Sequence, residues 1–450
     1  MNERSAARIT VAVTCMGLAL QIGSGHFKVP AVFFLAGAFV ALCLAVRAVS
    51  GPEAKPQIPL VWWLAGATAV FLVAHLFRPP GIHLDVSGFG NRSLFNGGLL
   101  VVGVLVAGAV FRPDHAATLR TPLMLLLFFA MGAWVIQHAP NPRTDVILIQ
   151  REAIAHLLAG GNPYSMTFPN IYGENSGYYG PGMVAGDRVL YGYSYPPILL
   201  LLALPGHLLG LDLRFSHLAV LTLAGAFIAY ARPGRIGFLA ATLFLFAPRT
   251  YFVLEQSWTD SFVVGILAFF VFCACRWRSG FPFSLGALIC AKQYIVLALP
   301  LLWLVRPQLK RAPGFQTTSL IAVAFALVLS LPLALWDFSA FWRDLFVIQS
   351  HLPFRMDSLS FSAAFAHLTG IKSPTFVGFM TGIAGIIIAL RRLPASPASF
   401  AFAFGWVMFL FFAFNRQAFC NYYFVVLGAL AVALGARDGT RDTGISEGQE

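Results

Sequence analysis

The sequence predicts an all-α, polytopic integral membrane protein with about 12 spanning helices, plus re-entrant or half helices and one long external loop. Three observations lead there. Of the 450 residues, 58% are hydrophobic and only 11% are charged, a balance foreign to soluble domains. Apolar runs of about 15–22 residues recur along the chain, punctuated by Arg, Lys, Pro and Gly. Within the runs the pattern is continuous rather than alternating. A bilayer admits helices or closed barrels, so helices are expected.

The opening "MNERSAARITVAVTCMGLAL" has a positive start and an apolar run, without a small-x-small cleavage site. It reads as an uncleaved first span. Further spans are expected near 30–49, 60–77, 97–111 and 121–139, after a first at 8–24. The positive-inside rule places the N-terminus in the cytoplasm and residues 140–195 outside. Read back from the other end, Arg391, Arg392, Arg437 and Arg441 belong inside. Spans near 374–390, 397–414 and 420–436 then leave "NRQAFCNYY" at the outer face.

Between these ends, Arg232/Arg235, Arg276/Arg278 and Arg306/Lys310/Arg311 form cytoplasmic clusters, and spans near 213–230, 236–250 and 260–275 fit them. Two segments do not fit as simple crossings. "PPILLLLALPGHLLG" (196–210) starts and ends outside and is expected to be re-entrant or interfacial. "FPFSLGALICAKQYIVLALPLLWL" (281–304) starts and ends inside, and is too short for two crossings of about 20 residues each. It is expected to form a hairpin of two half-helices with Lys292 near the tip.

The formal net charge of +12 is spread over short loops, which argues against a nucleic-acid partner. The cysteines at 15, 43, 273, 275, 290 and 420 lie in or beside apolar spans, so neither a disulfide framework nor a metal site is expected. No phosphate-binding glycine loop, dinucleotide fingerprint, H-E-x-x-H helix or G-x-S-x-G elbow is present.

The chemistry concentrates outside. "DVILIQREAIAHLLAGG" has apolar residues near helical spacing and a Gly160-Gly161 stop, followed by Pro163. Asp145 and Glu152 are seven residues apart and share one face of that helix. Asp145 follows a span closely, where desolvation raises a carboxyl toward a general base. Equally, it serves as an N-terminal acid of a helix capped by Thr144 or Asn141. The rest of the loop is rich in Tyr, Gly and Asn, which suits either sugar contact or ordinary loop packing.

Lys292 stands in "LICAKQYIV", and an ammonium at membrane depth requires an anionic partner, a functional ligand or a structural carboxylate. Three more external segments carry polar groups. They are "LEQSWTDS" with Glu255, Gln256 and Asp260, "VIQSHLPFRMDSLS" with His351, Arg355 and Asp357, and "FNRQAFCNYY" with Arg416, Asn421 and Tyr422.

A span leading into "DV…E….L..G.NPY" (Asp145 to Tyr164), then "YPP" (Tyr195-Pro196-Pro197), "LEQSWTD", "AKQYIVLALP" and "FNRQAFCNYY", resembles bacterial GT-C-fold glycosyltransferases. The branch it is similar to uses polyprenyl-phosphate sugars and includes the mycobacterial phosphatidylinositol-mannoside mannosyltransferases. The likeness covers roughly residues 120–436. It implies a GT-C-like module at 121–436, an N-terminal four-helix addition at 1–120 and a cytoplasmic polar tail at 437–450.

It further implies an inverting transfer at the outer face of the bacterial cytoplasmic membrane, to a hydroxyl of a lipid or glycan acceptor. Asp145 would be the base. Lys292, Arg355, Arg416 and His351 would meet the departing phosphate. Glu152, Gln256, Tyr164, Asn421 and Tyr422 would contact sugar or acceptor. No cofactor is expected beyond the lipid-linked donor, and "TDV" offers no adjacent acid pair for a metal. A lipid or sugar transporter or flippase, and a ligase or polymerase moving a lipid-linked glycan, remain as alternatives.

Overall fold

The computed structural model describes residues 1–49, 58–85, 92–113, 117–174, 176–311 and 314–438, so the tail from 439 onward lies outside the described residues. The protein is mostly helical, and among the described residues seven helices are long and apolar enough to cross a membrane. Five of these open the chain: α1 (Glu3–Gly23), α2 (Val29–Val49), α3 (Leu60–Phe77), α4 (Ser93–Phe111) and α5 (Ala117–His138). After the loop comes the short α7 (Pro197–Leu208), preceded by α6 (Asp145–Leu158). The sixth long helix, α8 (Arg214–Ala231), follows. All five expected N-terminal spans and the one near 213–230 coincide with these helices.

The expected span at 236–250 requires correction. It is broken into α9 (Arg235–Leu245) and α10 (Thr250–Glu255), with Pro248 and a left-handed Arg249 (φ 72°) between them. Proline cannot continue the hydrogen-bond ladder. Both pieces are buried in protein, a setting in which irregular backbone is tolerated at membrane depth.

α11 (Asp260–Arg276) then leads to the hairpin: α12 (Phe281–Ile289), a turn at Cys290-Ala291-Lys292, and a 3₁₀ helix over Gln293–Val305. The 3₁₀ form explains how so short a segment reaches so far. Thirteen residues at a rise of about 2.0 Å cover about 26 Å, as much as a 17-residue α-helix.

The chain continues through α13 (Arg306–Arg311), the long α14 (Phe315–Trp336), α15 (Phe338–Trp342), a π-helical turn at Arg343–Val347 and α16 (Ile348–His351). It ends with α17 (Phe361–Thr369), α18 (Phe376–Arg392), α19 (Pro397–Ala413) and α20 (Cys420–Gly435). α19 and α20 pack on each other and are buried almost throughout. At 17 and 16 residues they are shorter than the long apolar helices.

The N-terminal helices are not peripheral. α1 packs on α20, and α3 packs on α9. Glu255, fully buried, accepts the backbone N–H groups of Ile82 and His83 at 2.8 Å each. Gly81 lies so close to that carboxylate that a Cβ has no room.

Polar contacts sort to two opposite faces. Arg437 Nε donates to Met1 O at 3.1 Å, and Arg232 pairs with Asp438 at 3.3 Å, so both ends of the described chain share one face. At the other face lie residues 140–174 and 176–195. They contain a small antiparallel sheet of β1 (Phe168–Pro169), β2 (Val184–Ala185) and β3 (Arg188–Val189), ordered β1-β3-β2.

Candidate functional site

Asp145 opens α6. Thr144, the residue before it, caps the helix by accepting Ile147 N–H at 3.3 Å, and Gly160 (φ 85°) follows its end. The helix forms because its apolar residues Val146, Ile147, Ile149, Ala153 and Ile154 face the core. Asp145 itself is half-buried. Burial pushes its carboxyl above the ordinary carboxylate range. Hydrogen bonds from Val146 N–H (2.9 Å) and Tyr172 Oη (3.3 Å), with the Arg355 charge, pull it partly back.

A chain of stacked groups runs from Asp145 to Arg355. Tyr172 stacks on Tyr178 at 4.5 Å, and the Arg355 guanidinium lies 4.3 Å from the Tyr178 ring and 4.7 Å from Phe419. Arg355 also forms a bidentate pair with Asp357, at 2.7 Å in both contacts. Burial alone would raise Asp357, but Arg355 and His26 hold its carboxyl well below the usual range.

A second centre surrounds Asp260, whose carboxylate, like that of Asp145, acts electrostatically on Tyr195. Asp260 is 1% exposed. Its Oδ1 accepts from Lys292 Nζ at 3.0 Å and Tyr294 Oη at 3.2 Å, and its Oδ2 from Asn421 Nδ2 at 2.9 Å. Lys292 Nζ also donates to Thr259 Oγ1 at 3.0 Å and sits 5.1 Å from the Tyr195 ring. The hairpin tip thus brings Lys292 to the start of α11, at the level of the loop.

Arg416 differs from the other cations. Its guanidinium donates to the backbone carbonyls of Gln349 and Ser350, and among the described residues no carboxylate pairs with it. Its own carbonyl accepts Arg355 N–H at 3.0 Å, which places the two arginines side by side. His351 is exposed next to Ser350, with Nδ1 3.0 Å from Val347 O. Tyr422 is half-buried, within electrostatic range of Asp260, Arg416 and Arg355.

The remaining candidates fare differently. Gln256 is 5% exposed, its Nε2 donates to Glu255 at 3.0 Å, and its carbonyl accepts Thr144 Oγ1 at 3.2 Å beside Asp145. Glu152 is half-buried and makes no ion pair with an arginine among the described residues. Tyr164, expected to contact sugar or acceptor, is placed in the interior. Tyr164 is fully buried, donates to Tyr195 O at 2.7 Å, and packs on Tyr193 and Phe341. Its ring holds the loop together and has no free surface.

Two anchoring groups escaped the sequence reading. Gln150, His217 and Ser261, all fully buried, form a network across α6, α8 and α11. His217 Nε2 is 3.0 Å from Gln150 Oε1, His217 Nδ1 is 2.7 Å from Ser261 Oγ, and Gln150 Nε2 donates to Ser257 O at 2.7 Å. This fixes the helix bearing Asp145 against the helix bearing Asp260. The sequence signal is no more than a few polar residues set among apolar ones on each helix.

Asp344 is the second anchor. Fully buried, it pairs with Arg343 at 2.7 Å and accepts Gly192 N–H at 2.8 Å, tying the loop to the π-helical turn. A Cβ at Gly192 would collide with the Tyr164 carbonyl and the Asp344 carboxylate.

Among the described residues, no group of three or more His, Cys, Asp or Glu is arranged to hold a metal ion. All six cysteines are free. Comparison of the chain with family models, curated proteins and solved structures gave no match.

Proposed function

We propose that the protein is an inverting, GT-C-like glycosyltransferase of the cytoplasmic membrane, drawing on a polyprenyl-phosphate sugar at the extracytoplasmic face. The observation that carries this reading is the joint position of Asp145, a carboxylate raised by burial, and Arg416, a cation without an acid partner among the described residues. Arg355 links the two, acting electrostatically on Asp145 and lying beside Arg416.

In the proposed step, Asp145 takes the proton of an acceptor hydroxyl. The hydroxyl oxygen forms a bond to the anomeric carbon from the face opposite the phosphate. The anomeric C–O bond to polyprenyl phosphate breaks, and its electron pair leaves on the phosphate oxygen. Base catalysis and a cation on the leaving group are what this reaction demands. Arg416 supplies the cation, with His351 at the rim. Asp357 and Asp260 already neutralise Arg355 and Lys292, so these two are assigned to shaping the site. Asn421, Tyr422 and Glu152 are the candidates for hydroxyl contacts.

A second reading, a transporter, draws on the broken α9–α10 pair and the half-helix hairpin, since discontinuous helices often flank transport sites. One experiment separates the two. The full chain in liposomes is given a labelled polyprenyl-phosphate hexose or pentose with a membrane-lipid extract. Acceptor-dependent release of polyprenyl phosphate supports transfer. Movement of intact donor between leaflets, without release, supports transport and refutes the transferase.

A further inference from the structure

The hairpin encloses a cavity unrelated to the groups around Asp145. α11 runs from Asp260, beside Lys292, to Arg276, and the hairpin begins directly after it. The hairpin base therefore lies at the opposite face from the site. There, between α12, the 3₁₀ helix, α13 and α14, is a cavity of about 340 Å³. This volume falls within the about 300–1,000 Å³ typical of small-ligand sites.

Its walls are apolar, with Leu302 and Val323 among them, and the charged lining groups among the described residues are Arg306 and Lys310. No acid lines it. Lys310 is exposed and makes no ion pair with any described residue, and Arg306 is held over the Trp303 ring at 5.0 Å. Trp303 and Phe315, 62% and 58% exposed, flank the opening as aromatic residues do at a membrane interface. α14, which forms one wall, is the least enclosed of the seven long apolar helices, with only 22% of its apolar window buried. The cavity thus opens toward the bilayer.

We propose that this cavity is a binding site for an anionic phospholipid, with one acyl chain in the apolar chamber and the phosphate on Arg306 and Lys310. Charge complementarity selects the head group. Two basic groups at a membrane surface attract anionic lipid without a specific pocket for sugar or base. The site is independent of the transferase reading, and it holds the hairpin whose tip carries Lys292.

The test uses the full chain purified in detergent with equal phosphatidylglycerol and phosphatidylethanolamine of matched acyl chains. Retained lipid is counted by native mass spectrometry. The expected preference for phosphatidylglycerol is roughly tenfold to thirtyfold, from two basic groups near the surface. Arg306→Gln/Lys310→Gln removes that preference while the melting temperature without lipid stays close to wild type. Ser319→Phe, which fills the chamber, removes retention of both lipids. Equal retention of the two lipids by wild type, or a preference that survives the double charge variant, overturns the proposal. Undiminished retention by a folded Ser319→Phe protein overturns it as well, because the lipid then lies outside the cavity.

Discussion

Lys292 Nζ lies 3.0 Å from Asp260 Oδ1, at the point where a hairpin of two half-helices meets the first turn of α11. Both groups are nearly solvent-free, so each is the other's condition for being there. Removing one partner strands a buried charge. Lys292→Met is expected to lower stability by about 3–5 kcal/mol. Lys292→Met with Asp260→Asn is expected to recover a large part of that loss. Thermal unfolding of the three proteins in one detergent checks this, and additive losses would show that the pair is not coupled.

Glu255 makes a separate prediction about the first four helices. Its carboxylate satisfies two backbone N–H groups between α3 and α4, and charge-assisted bonds are the costly ones to lose. Glu255→Ala is expected to cost about 3 kcal/mol. Truncation at residue 120 is expected to give no folded protein, since α1 and α3 cover α20 and α9. Recovery of a monodisperse, cooperatively melting truncation would show that the N-terminal helices are a detachable addition.

These two contacts mark what a single sequence tells and what it withholds. α6, its Thr144 cap and its Gly160 stop were readable because helical periodicity and caps are local signals. Lys292 at a hairpin tip was readable because an isolated charge in an apolar run is expensive wherever it goes. Its partner was not, because Asp260 and Asn421 are 32 and 161 residues from their contacts in the chain. Composition marked the loop as tyrosine-rich, yet nothing local distinguishes Tyr164, packed inside, from Tyr172, which reaches Asp145. The break at Pro248 was missed because hydropathy is blind to a helix that stops while still buried.

Tyr172 tunes the proposed base. Its hydroxyl hydrogen-bonds the Asp145 carboxylate and so lowers a carboxyl that burial has raised. The base works only when ionised, so transfer rises with pH through the Asp145 pKa. Tyr172→Phe removes the lowering contact and is expected to move the acid limb of the pH–rate profile to higher pH. Folding stability responds to pH in the opposite sense. The folded state favours protonated Asp145, so the stability this group contributes is present below the free-carboxyl pKa and is lost as pH rises through the folded value. An unchanged acid limb in the Phe variant would dissociate Tyr172 from the base.

Arg416 is expected to carry the contact with the donor phosphate. Arg416→Gln should weaken binding of a polyprenyl-phosphate sugar by roughly tenfold to a hundredfold, the range of one lost charge-assisted hydrogen bond. Arg355→Gln should act less on donor affinity, because Asp357 already neutralises Arg355. Equilibrium binding of labelled donor to both variants in nanodiscs measures this. Wild-type affinity in Arg416→Gln would remove it from the phosphate site.

The most direct test is acceptor-dependent transfer by Asp145→Asn, measured beside donor binding in the same preparation. The substitution keeps the size of the side chain and removes the base. Transfer is expected to fall by roughly a hundredfold to ten-thousandfold, the contribution typical of a positioned general base, with donor affinity within a few-fold of wild type. Turnover near the wild-type rate in a protein that still binds donor would contradict the assignment of Asp145 as the base.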